Sequence, residues 1–264
     1  MSSAPILDNK APSAPSVFEP AALLREARRQ KGLDAGDVPA ISVLDPDGDI
    51  VRRLRKSGRA TLSRHWPCYH TELYEFQLAG QTLGIIGCAV GAPFAVLVAE
   101  ELFACGCRFL ISLTSAGQIA PLGNPPYFVV IDRALRDEGT SYHYAAPETF
   151  ATADPHLIDT AMQALRATAL PVHRGASWTT DAPFRETEAA IAAARDKGVV
   201  AVEMEAAALY AFARERDKPV LCIAHVTNTM GLADQDFEKG EADGTADALT
   251  ILEALARTAA IGAR

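Results

Sequence analysis

The chain has 264 residues, of which 49% are hydrophobic, and a formal net charge of -8 at pH 7. That length and apolar share suit one α/β domain with a sizeable core, while the acidic balance argues against nucleic acid as a partner, because a phosphate backbone demands clustered cations. A basic start running into a long apolar stretch is missing, and no segment offers the roughly 20 uninterrupted apolar residues that span a bilayer, so the expected setting is the cytoplasm, with no membrane partner.

Residues 1–16 are rich in Ser, Ala and Pro and predict a flexible arm ahead of a domain at 17–264. Residues 18–31 predict an amphipathic helix, with Leu23, Leu24 and Ala27 on one side and Arg25, Arg28 and Arg29 on another, stopped at Gly32. A short apolar strand at 41–44 breaks at Asp45-Pro46-Asp47-Gly48-Asp49 before a helix at 50–56, which makes this turn a candidate ligand loop. Strands at 73–78 and 82–88 around Ala79-Gly80 predict a hairpin, followed by a helix at 94–105 and a buried strand at 108–113. A strand at 127–131, helices at 155–168 and 186–196, and a strand at 199–202 come next. The pattern closes with a strand at 218–225, a polar loop from Val226, and a helix at 236–257 whose start Gly240 and Gly244 leave open. Strands alternate with helices and no repeat is visible, which is the α/β pattern. Cys68, Cys88, Cys105, Cys107 and Cys222 lack zinc-site spacing and read as reduced core thiols.

The run Val202-Glu203-Met204-Glu205-Ala206-Ala207-Ala208-Leu209-Tyr210 places two carboxylates around a methionine where a buried strand meets an alanine-rich helix. If strand geometry persists, Glu203 and Glu205 share one face, and a carboxylate there can accept both hydroxyls of a ribose diol. Glutamates in a helix's first turn are also favoured by the backbone dipole alone, so local sequence leaves both readings open.

This run resembles the Glu-Met-Glu signature of the nucleoside phosphorylase and nucleosidase superfamily, which includes the uridine phosphorylases. Further motifs resemble that family's in collinear order across residues 38–230. Gly91-Ala92-Pro93 and the helix after it are similar to its Gly-Gly-Pro turn, and Thr114-Ser115-Ala116-Gly117 to its sugar-and-base loop. Arg136-Asp137-Glu138-Gly139-Thr140-Ser141 and Thr179-Thr180-Asp181-Ala182, the latter beside the base, follow in the same order. The resemblance implies a single domain with a distorted central mixed β-sheet flanked by helices, and ligands gathered at strand ends. It also implies a homo-oligomer, dimer or hexamer, that cleaves the N-glycosidic bond of a nucleoside without metal or organic cofactor.

On this resemblance Glu205 holds ribose hydroxyls, Met204 covers the sugar's apolar face and Glu203 is a secondary sugar ligand, their charge favouring a cationic transition state. Ser115, Ala116 and Gly117 approach sugar and base, a tight strand-to-loop turn being the alternative. Phe184 covers the base or belongs to the core. Arg185 bonds an exocyclic carbonyl or sits solvated at a helix start. Asn228 stands where purine-cleaving relatives carry an aspartic acid that protonates the base; an amide cannot do so, which points to pyrimidine-like or unusual bases unless Asn228 is an ordinary turn residue.

Phosphorolysis needs guanidinium forks and backbone amides around a dianion. The family's Gly-Asp-Pro-x-Arg loop is here Leu44-Asp45-Pro46-Asp47-Gly48, a second expected arginine is Ser112, and Asp45, Asp47 and Asp49 would repel phosphate. In the nucleosidase branch a glutamate of this loop activates water. Asp49 aligns with it, and a helix-cap role fits the same residue. The basic cluster from Arg52 to Arg64 reads as a solvated face. The expectation is hydrolysis of a nucleoside, with phosphorolysis, phosphate then being a co-substrate, as the alternative and noncatalytic nucleoside binding as a third reading.

Overall fold

The computed structural model describes residues 4–230 and 239–258. Along the chain come α1 (Pro20–Lys31), β1 (Ile41–Asp45), α2 (Asp49–Lys56), β2 (Ala60–Leu62), β3 (Tyr74–Leu78), β4 (Gln81–Gly87), α3 (Ala92–Ala104) and β5 (Phe109–Gln118). They are followed by β6 (Tyr127–Asp137), β7 (Phe150–Thr152), α4 (Pro155–Leu165), β8 (Val172–Thr180), α5 (Glu188–Asp196), β9 (Val199–Glu203), α6 (Ala206–Arg216), β10 (Val220–Asn228) and α7 (Thr245–Ala256).

The strands form one mixed sheet in the order β10-β6-β8-β9-β5-β1-β4-β3-β2, with β7 on β6. Because β5 also pairs with β10, the strands β10, β6, β8, β9 and β5 curl into a closed ring, from which β1 to β4 extend as an open wing. The distortion is located in β5. It lies parallel to both β1 and β10 through residues 110–112 and meets β9, antiparallel, only at Gly117 and Gln118. Its apolar residues Phe109, Leu110, Ile111 and Leu113 are buried, as an interior parallel strand covered on both faces requires. In α6 every residue from 206 to 212 is buried. Its alanines let this helix pass closely over α3 and β6. In α2, Ile50, Val51 and Leu54 face inward while Arg53, Arg55 and Lys56 stay in solvent.

Several strands run further than their apolar cores predict. β5 continues through Gln118, β6 through Asp137 and β10 through Asn228, so the expected sugar-and-base loop and the expected polar loop after His225 are strand ends. β8 was hidden by its composition, His173, Arg174, Gly175, Ser177 and Thr179 being poor apolar markers, yet its second half is buried between β6 and β9. The last helix begins at Thr245, because Gly240 and Gly244 take left-handed φ values of 91° and 73° that a helix cannot absorb. The expected start at 236 lies outside the described residues. Cys88 is exposed, against the expectation of a core thiol, whereas the other four cysteines are buried and all five are free. Within the N-terminal segment Pro5–Leu7 makes one 3₁₀ turn and the Ser16 hydroxyl accepts from Arg216 at 3.2 Å. No helix among the described residues is long and apolar enough to cross a membrane.

Candidate active site

The two glutamates of the signature have different surroundings. Glu203 ends β9 and is saturated: its Oε1 accepts from the hydroxyls of Ser177 (3.0 Å) and Thr179 (2.5 Å), and its Oε2 from the backbone N–H groups of Glu205 and Ala206, each at 2.7 Å. These are the bonds that turn the strand into α6, and they leave no free lone-pair direction for a sugar. The chain bends out of strand geometry at Glu205 (φ -129°, ψ -38°), so the two carboxylates do not form a pair on one face.

Glu205 is 1% exposed, and its Oε1 accepts the Gly91 N–H at 2.8 Å. Its Oε2 is buried and has no hydrogen-bond partner among the described residues. Burial, and next the nearby charge of Glu203, push the Glu205 carboxyl above the usual range, while the Gly91 N–H and the Thr114 hydroxyl pull the other way. A buried acceptor held by one backbone bond and open on its other oxygen is what a diol-bearing ligand requires. Gly91 precedes α3 with φ 88° and ψ 149°, a conformation nearly restricted to glycine, so two motifs far apart in sequence meet in one hydrogen bond. Met204, half-buried, lies in the turn between them.

Ser115, Ala116 and Gly117 occupy the C-terminal part of β5, beside the end of β10. The Ser115 hydroxyl donates to Asp47 at 2.9 Å. Asn228 is buried, and its amide joins the strand ends: Nδ2 donates to the Ala116 carbonyl (3.4 Å) and Thr227 Oγ1 (3.3 Å), and Oδ1 accepts the Met230 N–H (3.0 Å). Phe184 and Arg185 lie in a 3₁₀ turn, Pro183–Arg185, with Phe184 99% exposed and Arg185 in solvent. A core role for Phe184 is therefore excluded, and both side chains are exposed in the single chain. The 136–141 motif is an internally bonded turn. Arg136 is buried and donates to Ser141 Oγ and the carbonyls of Ala145 and Ala146, while Glu138 accepts the N–H groups of Thr140 and Ser141.

The first loop brings together a group that sequence order conceals. Asp45 is buried, accepts the N–H groups of Gly48 (3.2 Å) and Val51 (2.9 Å), and has its pKa raised to about 7 by burial and by repulsion from Asp47 and Asp49. Lys239, ahead of α7, pairs with Asp49 at 2.6 Å and with Asp47 at 3.3 Å, and Arg52 also bonds Asp49. Burial raises the Asp49 carboxyl, but these two cations outweigh it and hold its pKa below the ordinary value. A depressed carboxylate is a poorer general base, and Gly48 rather than Asp49 is the helix cap. His225 stacks on Phe128 with ring centroids 4.3 Å apart, and its Nε2 is buried without a hydrogen-bond partner among the described residues. Burial first, then the Lys239 charge, lower its pKa to about 4, so it is neutral at pH 7. Between Asp45, Asp47, Asp49, Ser115, His225 and Lys239 lies a cavity of about 20 Å³, the room one water needs. Sequence reasoning missed Lys239 because a lone lysine in a polar stretch carries no spacing signal.

A model of the Phosphorylase superfamily matches residues 42–257, and the chain belongs to that superfamily. It is 25% identical over 188 residues to the guanosine phosphorylase of Halorubrum lacusprofundi, covering 70% of this chain and 76% of that protein. It is 29% identical over 151 residues to the DeoD-type purine nucleoside phosphorylase of Myxococcus xanthus, covering 56% and 63%. In three dimensions it matches the uridine phosphorylase of Vibrio fischeri ES114 with a TM-score of 0.70 at 22% identity, over 84% of this chain and 92% of that one. The purine nucleoside phosphorylase of Toxoplasma gondii, solved with immucillin-H, matches with a TM-score of 0.70 at 16% identity, over 83% and 90%. These structures share the mixed sheet flanked by helices.

Proposed function

We propose that this chain breaks the N-glycosidic bond of a nucleoside and transfers the pentose to inorganic phosphate. The observation that carries the sugar half of this reading is the open, buried Oε2 of Glu205 beside Gly91 and Thr114. Ribose hydroxyls donate to its ionised form, which the raised pKa places toward higher pH, and the charge of that form favours the positive charge that develops on the sugar as the bond to the base lengthens. A phosphate oxygen then bonds the anomeric carbon, and the electron pair of the broken bond leaves with the base. The acceptor half is supported by two curated relatives named as phosphorylases, and by the depressed pKa of Asp49, which weakens the expected water-activating base. Lys239 supplies a cation where the family's loop arginine is missing, once it releases Asp47 and Asp49. As proposed, the reaction uses phosphate as a substrate and needs no metal or organic cofactor.

Hydrolysis is the second reading, favoured by the water-sized cavity among three aspartates. A panel of uridine, guanosine and other nucleosides, assayed for free base and pentose 1-phosphate with and without phosphate, decides between them. Equal base release without phosphate, and no sugar phosphate, would overturn phosphorolysis. The panel spans both base classes because the relatives' names include guanosine and purine while Asn228 points to pyrimidine-like bases. Assembly into a dimer or hexamer belongs to this reading and is supported by Phe184, Val90 and Leu97, large apolar side chains left on the surface of the single chain. A cytoplasmic setting goes with five unpaired cysteines.

A further inference from the structure

A second cleft, of about 760 Å³, has no part of the Glu203-Met204-Glu205 run in its lining. Its walls come from the start of β5 and β10 and the C-terminal end of α6, whereas Glu205 precedes the first turn of α6 and the other site residues sit where β5 and β10 end. Along α6 the cleft begins at Tyr210, about 8 Å of helix beyond Glu205, and its cations lie further on, at Arg214 and Lys218. The volume falls in the range of sites that hold small organic ligands, roughly 300–1,000 Å³.

The lining has two chemistries. Phe103, Leu157, Tyr210 and Val220 supply an apolar wall. Arg108, Arg214 and Lys218 stand exposed at the rim. Arg108 and Lys218 form no ion pair among the described residues. Arg214 has only a loose pair with Glu148 at 3.6 Å, with both side chains half exposed and so of little energetic weight. Of the two carboxylates in the lining, Asp154 is already used, accepting the His156 N–H at the start of α4. Asp217 is held in a left-handed conformation at φ 48° as it ends α6. Three cations therefore face two acids in a chain whose formal charge is -8, and this local reversal of sign favours an anion. Guanidinium and ammonium groups together suit phosphate oxygens, and the apolar wall suits a flat ring.

We propose that this cleft binds a small phosphate monoester carried on a flat ring, a nucleoside monophosphate being the simplest such molecule. The site is separate from the proposed sugar pocket, and its occupancy does not depend on which acceptor the enzyme uses. The test is calorimetric titration of the full chain with uridine and adenosine monophosphates, with inorganic phosphate and the neutral nucleosides as controls. Wild type should bind a monophosphate at least tenfold tighter than either control. The Arg108→Glu/Lys218→Glu variant should lose at least tenfold in that affinity while keeping the wild-type melting temperature and rate of nucleoside cleavage. Arg108→Ala, a milder change at an exposed residue, should show a smaller loss and serves if the double variant fails to fold. No binding by wild type, or unchanged binding by the variants, would overturn the proposal, the latter placing the nucleotide in the catalytic pocket. Equal affinity for inorganic phosphate or for the nucleoside would overturn it too, since one of the two chemistries would then be idle.

Discussion

Replacing Glu205 by glutamine isolates one oxygen. Glutamine keeps an acceptor for the Gly91 N–H, now 2.8 Å from Oε1, and so preserves the contact that joins the α3 turn to α6. It removes the negative charge and turns the open Oε2 position into an amide donor. A hydrogen bond to a charged acceptor is worth about 1.5–3 kcal/mol, which converts to a loss of roughly 10- to 200-fold in kcat/KM at about 1.4 kcal/mol per tenfold. The assay compares Glu205→Gln with wild type on a riboside and on its 2′-deoxy and 3′-deoxy analogues. The loss should be full on the riboside and largely vanish on the analogue lacking the contacted hydroxyl, because the cycle cancels everything except that contact. The pH profile gives an independent reading. Since burial and the Glu203 charge raise the Glu205 pKa, the active carboxylate is lost as pH falls through a value above the ordinary carboxyl range. Wild-type kcat/KM should show that acid limb and Glu205→Gln should not. The same fold-loss on all three substrates, with the limb intact in the variant, would refute the reasoning.

Asp45→Asn should change the pH dependence of stability. With a folded pKa of about 7 against an ordinary 3.8, folded Asp45 holds more protons than unfolded Asp45 between those values, so its contribution to stability falls as pH rises from about 4 to 7. The span corresponds to at most about 4 kcal/mol, read as the difference in urea unfolding between pH 4 and pH 8. An identical difference in the variant would remove Asp45 as its source. Lys239→Met should raise the KM for phosphate at least tenfold, and Asp47→Asn should lower it by relieving both repulsion and the hold on Lys239. Phosphate saturation curves check both, and a rise with Asp47→Asn would contradict the pairing argument. Gly91→Ala meets no atom within 4 Å, yet its φ of 88° imposes about 1–3 kcal/mol of backbone strain. It should lower the melting temperature and, by shifting the N–H that holds Glu205, reduce kcat/KM; a wild-type melt would show that the backbone relaxes freely there.

The part of this fold legible in the sequence was the part written in apolar periodicity. α1, α2, the β3–β4 hairpin and α3 stand within two or three residues of their predicted bounds, and α6 follows the glutamates as expected, because each buries one continuous face or run. β8 escaped because its burial comes from neighbours on both edges and its residues are mostly small or polar. The ends of β5, β6 and β10 escaped for a related reason. Polar residues such as Thr114, Ser115 and Asn228 look like loop residues until strand pairing gives their backbone groups partners. In the site, the Glu203-Met204-Glu205 run was visible, but its division of labour was not. Only the positions of Ser177, Thr179 and two backbone N–H groups show that one glutamate builds the turn and the other keeps an oxygen free.

The first loop shows most sharply how folding changes a charge count read from composition. Read alone, Asp45, Asp47 and Asp49 are three like charges that would expel a dianion. In the folded chain Asp45 is drawn toward its neutral form near pH 7, and Lys239 and Arg52 stand against the other two. With Asp45 neutral, two carboxylates face two cations, so the repulsion from three negative charges, which the sequence adds to the missing arginines as an argument against phosphate, is reduced. The same ion pairs depress Asp49 and thereby weaken the base that hydrolysis would use. One lysine, 190 residues away in sequence from Asp49, therefore bears on both halves of the choice between water and phosphate, and its substitution should move phosphate affinity before any other kinetic constant.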